Sequence, residues 1–325
     1  MLSTTEMRSP MLNKHIYEPH TQDLPFKIYE LVKPSEETIQ GVADQLDIPR
    51  DFITSGLDPY EIGRWETYTN SKGEEYVLCV AIFPYTVNAQ EKDQHLRNYY
   101  QSAPIAIAMK DDLVLITSSR SITELFPSID TSFLKLDKSP RGVLTTILWE
   151  IAHLYIDYLK EMDRLIQELE EDVTKTTNNT IFYKLIGLNK GLVYFKDGIE
   201  NNQKVLTSLR QQMNKEGSEE IYKSHLRDVM VEHHQALGMA EELYLLNSKV
   251  SDILSNVVNN NMNQIMKILT VWSILLTVPT IISGIWGMNV GLPIQNHPYA
   301  FIILKIIIVV IMVVVYRLFK KNHWM

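Results

Sequence analysis

The 325-residue chain has a single cysteine, Cys79. One thiol can close no disulfide within a copy and build no thiolate metal cluster. Acid is missing from the C-terminal end: all 39 acidic residues lie at or before Asp252. From Lys267 onward there are five bases (Lys267, Lys305, Arg317, Lys320, Lys321) and no acid. Setting these aside leaves 26 bases against 39 acids in the first 266 residues, a formal −13, while the last 59 carry +5. The overall charge of −8 argues against a nucleic-acid partner. No glycine-rich phosphate loop, nucleophile elbow or HExxH pair occurs, so nothing points to an enzyme. The opening MLSTTEMRSP lacks the apolar run of a signal peptide, which predicts that the bulk of the chain stays in a reducing cytoplasm.

What is present is long apolar sequence. Ile268 to Leu304 is 37 residues without Asp, Glu, Lys or Arg, where a bilayer core needs about 20 in a helix. Gly287–Pro298 holds two glycines, two prolines and two asparagines and reads as a loop, 287–298. It separates a first span, 267–286, from a second, 299–319, with a basic tail at 320–325. Lys267 precedes the first span; Arg317, Lys320 and Lys321 close the second; the loop has no charge. The positive-inside rule then puts both termini in the cytoplasm, the loop outside, and the hairpin in the plasma membrane. Lys305, two turns into the second span, reads as an interfacial anchor snorkelling outward, or as a group near a pore mouth. Two helices cannot enclose water, so conduction requires an oligomer with one helix per copy lining the axis.

Residues 1–20 read as a loose tail and 21–145 as an α/β domain. Its expected strands are Phe26–Leu31, Arg64–Tyr68, Tyr76–Phe83, Ile105–Met109 and Leu113–Thr117, with Ser35 as a helix N-cap and Lys110-Asp111-Asp112 as a hairpin turn. Residues 146–266 read as a helical stalk with breaks at Thr176–Asn179 and Asn214–Ser218. The last helical pattern has no proline until Pro279 and runs into the first span. Ser218–Trp286 as one helix would be roughly 100 Å long and needs partners along its length. The fold class is thus an α/β cytoplasmic domain plus a long helical stalk and a two-helix transmembrane hairpin.

Met266, Leu269, Ser273, Thr277, Thr280 and Gly284 form a heptad-like stripe of small and hydroxylated residues on the first span, suited to a wet lumen or to plain close helix packing. Trp272, Ile274, Leu275, Ile281 and Ile282 form bulky faces beside it. The run Asn256, Asn259, Asn260, Asn261, Asn263, Gln264 suits a cation exit or a solvated helix surface. His233 and His234 point about 100° apart and read as surface residues. The acidic excess reads as a solvated surface or, more sharply, as a divalent-cation site.

Gly287-Met288-Asn289, placed directly after the first of two C-terminal spans, resembles the signature of the CorA family of magnesium transporters. Met266–Thr270 looks like the family's inner pore entrance, Pro279–Asn289 like its outer half, and Tyr316–Met325 like its basic ending. The close resemblance covers about 250–325, and the upstream elements agree in order and length. It implies a homopentameric funnel in membrane lipid that carries Mg2+, with Co2+ and Ni2+ as further substrates. It implies an ion-selecting ring at Gly287, Met288 and Asn289, with Asn289 meeting hydrated Mg2+. Met266 and Leu269 become a hydrophobic constriction, Ser273, Thr277, Thr280 and Gly284 pore-facing positions, and Asn263 a polar position just inside. Asp228, in Arg227-Asp228-Val229, looks like the aspartate at the subunit interface that senses intracellular Mg2+; Asp111 or Asp112 is its candidate partner. Mg2+ is then both substrate and regulatory ligand. Two departures stand out: Val290–Pro298 has no acid where many members have some, and Thr277 is polar where some carry a bulky apolar residue. A Zn2+ transporter of the same fold, and a membrane-anchored scaffold without flux, are the competing readings.

Overall fold

The structure, a computed structural model, describes residues 24–87, 99–126, 137–175, 179–215, 220–288, 290–293 and 297–321. The expected tail at 1–20, Asn289, most of both expected stalk breaks (176–178 and 216–219) and 322–325 lie outside the described residues. The chain divides into two compact units, 1–172 with 178–251, and 173–177 with 252–325.

The first unit contains a five-stranded sheet: β1 (Lys27–Val32), β2 (Arg64–Thr69), β3 (Glu75–Val87), β4 (Tyr99–Lys110) and β5 (Leu113–Ser118), in the order β1-β5-β4-β3-β2. β1 runs parallel to β5, from Lys27 opposite Leu113 to Val32 opposite Ser118, and the other pairs are antiparallel. Lys110 pairs with Leu113, so Asp111 and Asp112 form the two-residue turn expected of them. All five strands fall where the apolar runs place them, but β3 and β4 are longer than expected, 13 and 12 residues. Each continues through a proline, Pro84 in β3 and Pro104 in β4, a residue that normally ends a central strand.

The reason both prolines are tolerated lies in a helix side chain. β2 stops pairing with β3 at Arg64–Val80, which leaves the outer edge of β3 open from Ala81 onward. There Asn202 takes the place of a strand: its Oδ1 accepts the Ile82 N–H at 2.7 Å and its Nδ2 donates to the Ile82 carbonyl at 2.7 Å. Tyr155 Oη donates to the same carbonyl at 3.2 Å. Ile82 therefore turns both backbone groups away from its β4 partner Pro104, and Pro104 is asked for no N–H across that pair. Pro84, two residues on, presents its missing donor to the same open edge.

One face of the sheet packs Tyr29, Leu31, Leu78, Val80, Ala106 and Leu115 against Ile39, Val42 and Ala43 of α1 (Glu36–Leu46) and Phe52 and Ile53 of α2 (Asp51–Thr54). Ser35 caps α1 by accepting the Thr38 N–H at 3.2 Å. Gly56, just after α2, allows this layer to close: a Cβ there would lie 2.0 Å from the Thr117 carbonyl oxygen. After α3 (Ile122–Leu125), the long helices α4 (Pro140–Lys175) and α5 (Asn179–Lys215) cover the other face. Phe195 of α5 meets Tyr155 of α4 edge-on at 5.3 Å and Tyr100 of β4 at 5.8 Å.

α6 (Glu220–Trp286) is one helix of 67 residues, and α7 (Ala300–Lys321) follows it. Within the first unit α6 buries Leu226, Val229, His233, Ala236, Ala240, Leu243, Asn247 and Val250. Their spacing alternates three and four without a break, the register of a coiled coil. α5 runs antiparallel along it: Asn247 Nδ2 donates to the Leu185 carbonyl at 3.2 Å, and Lys196 Nζ lies 3.0 Å from Glu241.

Replacing Asn202 by Ala strands two buried backbone groups, so the variant should lose about 3 kcal/mol of unfolding free energy. Denaturant unfolding of the purified full-length chain measures this. Asn202→Asp should not restore it, because a carboxylate would face the Ile82 carbonyl.

Candidate functional site: a stripe along the first span

Two helices, α6 from Asp252 onward and α7, are long and apolar enough to cross a membrane. On α6 the least exposed positions of the span are Thr270, Val271, Leu275, Val278, Pro279, Ile282 and Trp286, with Val271 and Leu275 buried. The residues of the expected stripe are all exposed: Met266, Leu269, Ser273, Thr277, Thr280 and Gly284. At about 100° per residue the mean directions of the two sets differ by about 180°. The side of the helix that its own unit covers is therefore the side opposite the stripe.

The chemistry of the stripe follows from how its hydroxyls are spent. Thr277 Oγ1 donates to the Ser273 carbonyl at 2.7 Å, and Thr280 Oγ1 to the Leu276 carbonyl at 2.9 Å. Each threonine gives its one proton to its own helix and keeps its lone pairs free. The stripe thus offers hydrogen-bond acceptors, the polarity that the water shell of a cation seeks. A Cβ on Gly284 would meet nothing within 4 Å. At the outer end α6 stops at Trp286; the Gly287 N–H reaches back to the Ser283 carbonyl at 2.9 Å and the Met288 N–H to Ile285 at 3.3 Å. Met288 is exposed, and Asn289 lies outside the described residues.

Toward the inner end, Asn263 is exposed but sits about 80° from the mean direction of the stripe. Asn259 and Met262, seven residues before Met266 and Leu269, prolong the stripe and are exposed. Continued heptad spacing was the signal for these two. Lys305 of α7 holds its Nζ 4.5 Å from the Phe301 ring, one turn back toward the loop, the direction a snorkelling side chain takes.

The three candidate regulatory aspartates all lie on the surface of the first unit. Asp228 is exposed on α6, and Asp111 and Asp112 are exposed on the β4–β5 turn. Asp112 pairs with Lys110 at 3.2 Å, and Lys110 with Glu74 at 2.9 Å. The turn borders a cavity of about 680 Å3 also lined by Trp65, Glu75, Arg141 and Gln212, and Asp228 is not part of it. Among the described residues no group of three or more His, Cys, Asp or Glu is placed to hold a metal ion.

One expectation is overturned. His233 is not a surface residue; it is 0% exposed. It occupies the coiled-coil register four residues after Val229 and three before Ala236, and that register, not its neighbour, decides its environment. His234, about 100° on, is exposed as expected. His233 Nδ1 lies 3.1 Å from the Val229 carbonyl, while its Nε2 is buried without a hydrogen-bond partner. Burial, against the opposing pull of the Val229 carbonyl and with a smaller push from His153 of α4, brings this imidazole down to about 4.

The family model described as "CorA-like Mg2+ transporter protein" matches residues 24–321. The cobalt/magnesium transport protein CorA of Methanocaldococcus jannaschii is 27% identical over 321 residues, 95% of this chain and 96% of that protein. Its namesake from Thermotoga maritima is 27% identical over 184 residues, 56% of this chain and 52% of that protein. The complete structure of the CorA magnesium transporter from Methanocaldococcus jannaschii matches with a TM-score of 0.75 at 25% identity, over 95% of this chain and 94% of that one. The ZntB cytoplasmic domain from Vibrio parahaemolyticus shares the fold alone, at 14% identity and a TM-score of 0.53, over 73% of this chain and 89% of that one.

Because the folded His233 ring binds its proton only near 4 against an ordinary 6.5, the unfolded chain holds more protons between those values. Stability should be flat above about pH 6.5 and fall as pH drops toward 4. His233→Leu should flatten this part of the profile when unfolding is followed against pH.

Proposed function

We propose, from the premise that this chain belongs to the CorA family of Mg2+ transporters, that it carries Mg2+ into the cell through a conduit built from five copies of the first span. The observation that carries the reading is the acceptor-rich stripe on the side of α6 opposite its covered face. Co2+ and Ni2+ are further substrates in this reading. Both termini are cytoplasmic and the Gly287–Pro298 loop is outside.

Mg2+ dehydrates reluctantly and keeps several waters where it binds. Five Asn289 amides at the outer rim would accept hydrogen bonds from those waters without stripping them. Five helix C-termini add partial negative charge at the same place. Selection then rests on hydration and size, with no carboxylate ring, which suits a loop without acid. Entry is driven by the membrane potential, about 4.6 kcal/mol per 100 mV for a divalent ion. Met266 and Leu269 form the inner constriction. Mg2+ held between cytoplasmic domains by Asp228, with Asp111 or Asp112 of a neighbouring copy as partner, favours the closed state; its loss restores repulsion and lets the constriction widen and wet. The placement of this sensing site between copies is what the family resemblance of Asp228 implies.

The deciding experiment is Mg2+ flux in liposomes: wild type should conduct, and Asn289→Ala should lose uptake while keeping its assembly. A scaffold predicts no flux from either. Zn2+ uptake that follows a proton gradient, with Mg2+ excluded, would move the protein to the Zn2+ branch.

Cysteine accessibility tests the stripe itself. Cys79 is fully buried and burial pushes its thiol far up, so native protein should give no background with a water-soluble thiol reagent. Thr277→Cys and Thr280→Cys should react in the assembled protein, and Leu275→Cys should not.

A further inference from the structure

We propose that a cavity of about 440 Å3 beside the sheet, lined by Tyr60, Tyr85 and Tyr194 together with Asp197, binds a small organic ammonium ion.

The cavity lies where β2 has ceased to accompany β3. Its lining comes from three places: Ile82 and Tyr85 of β3 with 101–104 of β4, Tyr194 and Asp197 of α5, and the loop 59–62 that leads into β2. These parts are fixed to one another. Tyr85 Oη donates to Gln101 Oε1 at 2.6 Å, joining the two strands. Ser102 Oγ donates to the Tyr194 carbonyl at 3.2 Å, joining β4 to α5. The loop ends at Gly63, where a Cβ would lie 2.9 Å from the Asn201 carbonyl oxygen of α5. The space is therefore formed before any guest arrives, and its size falls in the range of about 300–1,000 Å3 usual for small-molecule sites.

The lining selects the charge of the guest. No Lys, Arg or His lines the cavity, whereas Glu61 and Asp197 do. Glu61 is held by Arg64, but that guanidinium also serves Asp51 and Glu66, so three carboxylates share one cation. The Asp197 carboxylate is exposed and pairs with no base among the described residues. Ser102 has spent its proton on Tyr194 and keeps its lone pairs. An anion would meet only acid and acceptors here.

The lining also selects the body of the guest. Tyr60 is 93% exposed, Ile62 60% and Tyr194 50%, so large apolar side chains stand open around the cavity. The face of a phenol ring is the negative side of its quadrupole and attracts ammonium and guanidinium ions. Tyr85 already shows this chemistry, with the Arg120 guanidinium 4.7 Å from its ring centre. Mg2+ gains nothing from rings and prolines, since it demands oxygen ligands and holds its waters. An ammonium group on a short carbon chain uses both features, giving its protons to Asp197 and its methylenes to the tyrosines. All lining residues belong to the first unit, so occupancy requires neither the spans nor flux. A bound guest would tie the loop before β2 to α5 and stabilise the folded chain.

The test is equilibrium dialysis of labelled 1,4-diaminobutane against the purified full-length protein in detergent, with Mg2+ in excess so that sites for that ion are filled. Wild type should bind it saturably, one molecule per chain, and should melt at a higher temperature in its presence. Asp197→Asn keeps the shape and removes the charge, and should weaken binding about tenfold or more. Tyr60→Ala, at a residue too exposed to matter for folding, should weaken it several-fold. Uncharged 1,4-butanediol should not compete. Absence of saturable binding in wild type, undiminished binding in either variant, or equal competition by the diol overturns the assignment.

Discussion

A helix of 67 residues in water or lipid has no stability of its own to spare, and one side of it must be covered along its whole course. α6 meets that demand within its own chain only in part, since residues 258–269 are exposed on every side. From Leu226 to Val250 an unbroken three-four register is buried in the first unit, and in the span Val271 and Leu275 are shielded. Covering one side settles what remains for the other. The bare side carries the acceptor oxygens of Thr277 and Thr280 and the open position at Gly284. In an aqueous or lipid setting such a side suits contact with water or with further copies, and the proposed conduit draws on it.

Much of this is legible in the sequence, because periodicity reports burial directly. The five strands, the Ser35 cap, the turn at Asp111-Asp112, the run of α6 into the first span and the stripe all follow from residue spacing. The misreadings have a common origin. The ends of β3 and β4 depend on Asn202, 120 residues from Ile82 in sequence, and no local pattern announces that a helix side chain will stand in for a strand. His233 follows its place in the buried register, not the exposure of its neighbour His234. The heptad spacing of the stripe reaches back beyond Met266 to Met262 and Asn259. The candidate aspartates Asp111, Asp112 and Asp228 lie exposed, where residue spacing reports no partner.

The charge distribution ties the two units to one purpose. Acid is confined to the part before Asp252, and the spans and loop rely on hydroxyls, amides and helix ends. A divalent ion in a low-dielectric passage would bind a carboxylate ring tightly and leave it slowly, whereas neutral dipoles hold the hydrated ion loosely. The absence of acid from the outer loop leaves Lys305 as the lone formal charge between Ile268 and Tyr316, held against the Phe301 ring.

The way Asn202 closes the long edge of β3 bears on how copies of this chain can meet. An open strand edge is a template for any other strand, including the same strand of another molecule crowded beside it in a membrane. Here that stretch is plugged by an amide from α5, and the neighbouring edge of β2 is dressed with the ion pairs of Arg64 with Glu61 and Glu66. Strand exchange between neighbours is thereby disfavoured, and lateral recognition is left to helices, whose contacts can slide and reseat without unravelling a sheet.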